Sequence, residues 1–190
     1  MLSEKELVQK CKMQDRASQE LLFKQFSGYM MGICMRYSKD KDEARDLLHD
    51  GFIKAFMKIK DFREESSLKT WLSAIFVNTA LTRIRQKNKL RFQDLDERDG
   101  HEIADNEVDE EFLDHAINNV DLQEVLALVQ NLPDKYRIII NMYVIDHFSH
   151  KDIANELNIS EGTSKSQLSR ARKMLMTLIE QKKTQYEKAF

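Results

Sequence analysis

Thr163, Lys165, Ser166, Gln167, Arg170 and Lys173 crowd one short stretch, interleaved with Leu168, Ala171 and Leu175. At the helical period these two sets fall on opposite sides of one helix over about 161–179, with Leu178 extending the apolar side. Arg and Gln can reach base edges, while Ser, Thr and Lys hold phosphates, so the chemistry indicated is nucleic-acid recognition. The competing reading is an ordinary solvated amphipathic helix. The residues just before it bear on the choice. Ser149 suits a helix N-cap, and Asp152 three residues on completes a capping-box-like pair. Ile153, Ala154 and Leu157 form an inward face, where the small Ala154 lets the next helix cross closely. Asn158 stands where the chain must turn and tolerates the left-handed conformation. Ile159 packs back and Ser160 caps the next helix. Cap, small residue, turn and cap together describe a helix-turn-helix over 149–175. Ser164 dissents, because it takes a position usually given to a buried aliphatic residue and is expected to loosen the packing.

Other chemistries find little support. His101, His115, His147 and His150 show no ligand or catalytic spacing, and there is no phosphate loop or nucleophile motif. An enzyme is therefore the least supported class, and no catalytic residue, metal or cofactor is expected. Cys11 and Cys34 lack partners at metal-ligand spacing and read as reduced thiols on helices, with a disulfide or redox switch as the alternative. Neither a secretory signal nor an apolar run approaching ~18 residues is present, so a cytoplasmic chain without membrane insertion is expected.

The elements that must position these residues are helical. Of 190 residues 42% are hydrophobic, enough for real cores, while only 5 Gly and 1 Pro are too few turn residues for a sandwich or barrel. The net charge of −2 hides a partition. Lys69, Arg83, Arg85, Lys87, Lys89 and Arg91 lie in a stretch without acids, whereas 94–114 is densely acidic against a lone Arg98. That acidic stretch, which contains Gly100 and little periodicity, reads as a flexible linker. The expected organisation is a helical domain over 1–91, an acidic linker over 92–117 and a second helical domain over 118–190. In the first domain three apolar stripes are expected to face inward. They are Leu21, Leu22, Phe26, Met30, Ile33, Cys34 and Tyr37; Leu47, Leu48, Phe52, Ala55, Phe56 and Ile59; and Trp71, Leu72, Ile75, Phe76, Thr79, Ala80 and Ile84. Polar residues 61–67 read as a loop. In the second domain Leu122, Val125, Leu126 and Val129 mark a helix stopped by Pro133. A further helix over 134–146 is expected to bury Tyr136, Ile139, Ile140, Tyr143 and Val144.

Two longer blocks carry a resemblance. LPDKYRIIINMYVIDHFSHKDIANELNIS with EGTSKSQLSRARKML resembles region 4 of bacterial RNA polymerase sigma factors of the extracytoplasmic-function (ECF) type, which reads the promoter's upstream element. DEARDLLHDGFIKAFMKIKDF with SSLKTWLSAIFVNTALTRIRQ resembles their region 2, which binds core polymerase and opens the downstream element. The order of the blocks and the chain length agree. The resemblance implies a sigma factor directing core RNA polymerase to specific promoters and promoting their melting. Its partners would be core RNA polymerase and promoter DNA, with an anti-sigma factor as a further candidate.

Family roles carry over where positions match. Asp46, Leu47, His49, Asp50 and Phe52 correspond to the polymerase-binding block, together with Gly51; for the two aspartates a solvated face is the plain alternative. His49 stands where the family usually has Gln, and both can hydrogen-bond. The loop over 61–68 corresponds to the segment that captures a flipped base, with Phe62, Arg63, Ser66 and Ser67 as candidates. Trp71 reads as a core residue or as an edge to the melted junction. Asn78 would face the downstream element, and Arg83, Arg85, Lys87 and Lys89 would grip phosphates. Val77 and Thr82 replace a usual Arg and Asp, which removes a phosphate contact. Thr163, Lys165, Ser166, Gln167, Arg170 and Lys173 would read the upstream element. A linker of roughly 28 residues reaches about 30 Å relaxed and 90–100 Å extended. The family's two elements lie roughly 70–80 Å apart, so polymerase must hold the two domains apart. The linker's carboxylates would either occupy a basic channel of the enzyme or act as a solubilising spacer. An ordinary helix-turn-helix regulator would explain 149–175 but leave 42–90 idle; a helical polymerase-binding adaptor is the other alternative.

Overall fold

A computed structural model describes residues 2–88 and 127–188, and within the last turns of two helices the side chains of 87, 88, 183 and 185–188 are not described. The chain divides into two compact units, Met1–Lys87 and Asn88–Phe190. Among the described residues every regular element is helical, the all-α, two-domain class expected from composition. The linker, Lys89, Arg91, Leu122, Val125 and Leu126 lie outside the described residues.

The first unit holds α1 (Glu4–Lys12), α2 (Arg16–Tyr37), α3 (Lys41–Lys58), a single 3-10 turn (Ile59–Asp61) and α4 (Leu68–Asn88). Each helix starts on a side chain that satisfies N–H groups left open at a helix N-terminus. Ser3 and Glu6 form a capping box on α1, and Asp15 and Asp40 accept from the N–H of Ser18 and Glu43. Ser67 Oγ accepts from Thr70 N–H at 3.1 Å to open α4. The core joins Leu22, Phe26, Met30 and Cys34 to Leu47, Leu48, Phe52 and Ala55, and to Leu72, Phe76, Ala80 and Leu81. Phe52 is its aromatic hub, with Phe23, Phe76 and Phe56 centroids at 4.6, 5.2 and 6.0 Å. Gly51 lets this happen. A Cβ there would lie 2.3 Å from the Phe76 ring, so only a residue without a side chain admits the ring. Four stripe positions depart from expectation: Leu21 is exposed, and Phe56, Trp71 and Ile75 are only half-buried.

In the second unit, residues 127–130 are helical and precede α5 (Asp134–Ile140), α6 (His150–Leu157) and α7 (Glu161–Lys188). α5 does not run on as a regular helix to 146. It widens into a π-turn over Asn141–Ile145, which shifts the phase of everything after Ile140. Asn141 and Met142 are therefore buried with Ile138, Ile139 and Ile140, whereas Tyr143 and Val144 are half-buried; Tyr136, ahead of the turn, is half-buried too.

Both cysteines are free and buried. Burial pushes the Cys34 thiol up to about 12 against the opposing pull of Arg83, and raises that of Cys11 together with Asp15. The protonated thiol is the poorer nucleophile, which fits the reading as inert thiols. No described helix is long and apolar enough to cross a membrane.

Candidate nucleic-acid and polymerase interface

The helix-turn-helix forms from the local signals expected of it. Ser149 and Asp152 make a full capping box on α6, and Asn158 ends that helix at φ 56°, ψ 49°, in the left-handed region. Ser160 Oγ accepts from Thr163 N–H at 2.9 Å to open α7. Ile153, Ala154 and Leu157 are buried against Leu168, Ala171, Leu175 and Ile179. Ser164 is buried as well, but it does not leave the packing loose. Its hydroxyl shares a 2.9 Å hydrogen bond with His150 Nδ1, and the His150 ring stacks on Tyr143 at 4.6 Å. A polar pair thus takes the aliphatic slot and ties α6 to α7. Burial, then Lys165 and Arg172, hold the His150 pKa below its ordinary 6.5, with Glu161 opposing. The ring is therefore neutral at pH 7 and can accept from or donate to the serine.

On the outer side of α7, Lys165 and Ser166 are exposed. Gln167, Arg170 and Lys173 are half-buried. Thr163 is half-buried too, its hydroxyl shared with Ser160 at 2.8 Å.

The first unit sorts its candidates less evenly. On α3, Asp46 and His49 are exposed. Leu47 and Phe52 are buried at 2% and 3% exposure, so they support the helix from inside and do not meet a partner. The same outer face carries two side chains that the motif match missed. Ile53 is 58% exposed and Met57 75% exposed, and with Asp46 and His49 they line one helical stripe. Their signal was available: both lie opposite the Leu48–Ala55 side of the helix. Asp50, at the edge of that stripe, is committed. Arg83 of α4 donates to its Oδ2 through Nε at 3.0 Å and Nη2 at 2.7 Å. Arg83 is thus turned towards α3, not held out as a simple phosphate grip.

Between α3 and α4 the loop exposes Arg63, Ser66 and Ser67. Phe62 leaves the candidate set: it is 5% exposed and packs on half-buried Trp71 at 5.0 Å, so its ring belongs to the core. The Ser67 hydroxyl is engaged in capping α4. On α4, Asn78 and Arg85 are exposed on the face that also carries Trp71 and Thr82. Thr82 donates to Asn78 O at 2.7 Å and Arg85 to Thr82 at 3.4 Å. Val77, where the family usually has Arg, is buried and packs in the core. The Lys87 side chain lies outside the described residues.

The family models agree with this layout: the description "Sigma-70 region 2" matches residues 22–90 and "Sigma-70, region 4" matches 122–175. The ECF RNA polymerase sigma factor SigW of Bacillus subtilis is 32% identical over 152 residues, covering 75% of this chain and 79% of the relative. The chain belongs to the ECF RNA polymerase sigma factors. The RNA polymerase sigma-H factor of Pseudomonas aeruginosa is similar to this sigma factor over 185 residues at 28% identity, covering 90% and 91% of the two chains. Among solved structures, the sigma factor RpoE in complex with the anti-sigma factor NepR from Bartonella quintana matches at 26% identity and TM-score 0.47, covering 85% and 96%. As a sigma factor the protein binds core RNA polymerase, directs it to promoter DNA and promotes initiation. An ordinary helix-turn-helix regulator is not favoured, since it would leave the region 2 match without a role.

Proposed function

We propose that this sigma factor divides its task between its two units. Residues 1–91 dock on core polymerase through the outer face of α3, and take the downstream element with Arg63, Ser66, Asn78, Arg85 and Lys87. Residues 118–190 read the upstream element with Lys165, Ser166, Gln167, Arg170 and Lys173, with Thr163 at the helix start. Residues 92–117 act as the acidic connection. Trp71 and Ser67 shape the loop's base, and Arg83 serves DNA only as far as Asp50 releases it. An anti-sigma factor that covers the α3 face would compete with polymerase. The protein works as a cytoplasmic initiation factor without chemistry of its own.

The observation that carries this reading is the α3 stripe of Asp46, His49, Ile53 and Met57, where two large apolar side chains face solvent between polar ones. Isolated exposed hydrophobics are common, but a pair one turn apart beside charged groups suits the centre of a protein interface. The test is competition with a reference sigma factor for purified core polymerase. Ile53→Ser with Met57→Ser should weaken binding about tenfold or more while leaving the thermal unfolding curve in place, because neither side chain supports the core. Full affinity in a folded double variant would remove α3 from the interface. Abortive transcription from a promoter library then tests the division between units: substitutions in 63–85 should alter downstream preference, and those in 163–173 upstream preference. Limited proteolysis should cut first between Arg91 and Asp114; a first cut inside 42–60 would overturn the assignment of 92–117 as the connection.

A further inference from the structure

We propose that α1 is a positioning element for the loop between Phe62 and Leu68, and that Glu4 and Lys12 thereby set which base this sigma factor prefers in the downstream element. The proposal rests on the assignment of that loop to the downstream element and deepens it. Both ends of the loop are held by α1. Lys12 Nζ donates to the carbonyl of Phe62 at 2.8 Å. Glu4 Oε1 accepts from the N–H of Leu68 at 3.3 Å. Leu68 is the first residue of α4, so its N–H is one that the helix cannot satisfy itself, and a carboxylate there also suits the helix dipole.

The geometry of α1 explains the pairing. Glu4, Val8 and Lys12 recur every four residues on one face, with Val8 buried between the two charged ends. Eight residues of helix separate the ends by about 12 Å at 1.5 Å per residue. The loop, fully stretched, could span roughly 20 Å. Its apolar ends, Phe62 and Leu68, are buried, and Arg63, Glu64, Glu65, Ser66 and Ser67 between them are all exposed. Glu64 takes a left-handed backbone at φ 62°, which a residue with a Cβ adopts only when its surroundings hold it there. The Gln9 amide reaches its carboxylate at 3.5 Å, at the outer limit of a hydrogen bond. The loop's own hydrogen bonds are local: the Ser66 hydroxyl donates to the Ser67 carbonyl, and the Ser67 and Thr70 hydroxyls share another. Phe62 also packs on Trp71, but the tertiary hydrogen bonds to the backbone of the loop's end residues come from α1, which touches no DNA in this scheme and acts only through the loop.

The experiment uses the full-length protein reconstituted with core polymerase on promoter libraries randomised at the downstream or the upstream element. Lys12→Met keeps the aliphatic stem and removes the donor; Glu4→Gln removes the charge; the two are also combined. The expected result is a loss of preference at one downstream position of about threefold to tenfold, the equivalent of one ordinary hydrogen bond. Upstream preference and competition for core polymerase should be unchanged, and Lys12→Arg, which retains a donor, should keep the wild-type preference. A loop variant, Arg63→Ala with Ser66→Ala, separates the two levels. If it shifts downstream preference while the Lys12 and Glu4 variants do not, the positioning proposal is overturned and the loop assignment stands. If the loop variant is also silent, the loop assignment fails and takes the proposal with it. A uniform fall in transcription on every promoter, without a change in base preference, would make α1 a structural support only and overturn the proposal.

Discussion

Gly51→Ala offers the sharpest test of how α3 is built, because helix propensity and packing oppose each other there. Gly51 sits inside α3, where alanine would favour the helix by up to ~1 kcal/mol. The new methyl, however, would stand 2.3, 2.6 and 2.6 Å from Cε1, Cδ1 and Cζ of Phe76. An ordinary contact begins near 3.4 Å, so the ring must retreat by more than 1 Å. It has little room to do so, since Phe76 is fully buried and its ring meets Phe52 edge-on at 5.2 Å. Overpacking of this kind costs ~1–3 kcal/mol, and a shift of more than 1 Å in a fully buried ring belongs to the upper part of that range, which leaves a net loss of about 2 kcal/mol after the propensity gain. For a unit of this size that corresponds to a melting temperature lower by roughly 8–16 °C.

Urea unfolding followed through Trp71, the protein's single tryptophan, reports on this unit directly. A fall in midpoint is expected for Gly51→Ala. Phe76→Leu removes the clashing ring atoms, so the double variant should be more stable than the sum of the two single losses. Gly51→Ala with an unchanged or raised midpoint would refute the packing argument and return Gly51 to the polymerase-contact role that its motif position suggests.

Three further outcomes follow from particular contacts. Asp50→Lys should weaken competition for core polymerase, but it also strips Arg83 of its partner, and for a half-exposed pair this should lower stability by up to about 1 kcal/mol; unchanged affinity would take Asp50 out of the interface. On α7, Arg170→Ala should cost ~1–3 kcal/mol and relax preference at one upstream base pair, whereas Lys165→Ala should weaken all sequences alike and reduce the salt slope by about one, both measured in the holoenzyme; if neither changes promoter binding, α7 does not read DNA. His150, held neutral in the fold, takes up a proton more readily in the unfolded chain; the second unit should therefore lose stability as pH falls below about 6.5, and His150→Gln should flatten that slope in thermal melts between pH 7.5 and 5.5, an equal slope in both proteins counting against the assignment.

What could be read from the sequence is what short-range rules govern. Ser149, Asp152, Asn158 and Ser160 act on backbone groups within a few residues, so their caps and turn were legible. Periodicity likewise placed Leu22, Met30, Leu72 and Leu168 in the core. It failed where the period itself changes: the π-turn after Ile140 rotated Tyr143 and Val144 partly outward. It was overridden on α3, where a match to a binding block made Leu47 and Phe52 look like contacts although their apolar period puts them inside, and in the loop the same kind of match made buried Phe62 look like a contact. Ile53 and Met57 were overlooked for the same reason. The rest depended on partners distant in sequence. Nothing local to Ser164 reveals His150, and nothing near Asp50 reveals Arg83.

That last pair bears on why this sigma factor needs polymerase to find a promoter. Affinity for DNA grows with the number of phosphates neutralised, and a chain of net charge −2 has no cations in excess. In the first unit Arg83 already faces a carboxylate, and Lys69 lies over the Tyr29 ring at 3.9 Å. Arg85, itself bonded to Thr82 at 3.4 Å, adds one charge to what is a small patch, whose attraction is weak at physiological salt. The second unit offers Lys165, Arg170 and Lys173 on one helix, again enough for one site and no more. Neither patch alone supplies the six to ten phosphate contacts typical of tight binding, roughly the number that carries a steep salt dependence. Engaging both on one promoter multiplies the two weak equilibria through effective concentration, provided the units are held at the right separation. On the proposed docking through the outer face of α3, core polymerase is the partner that would impose that separation, and promoter selectivity would then belong to the holoenzyme and not to either helical unit by itself.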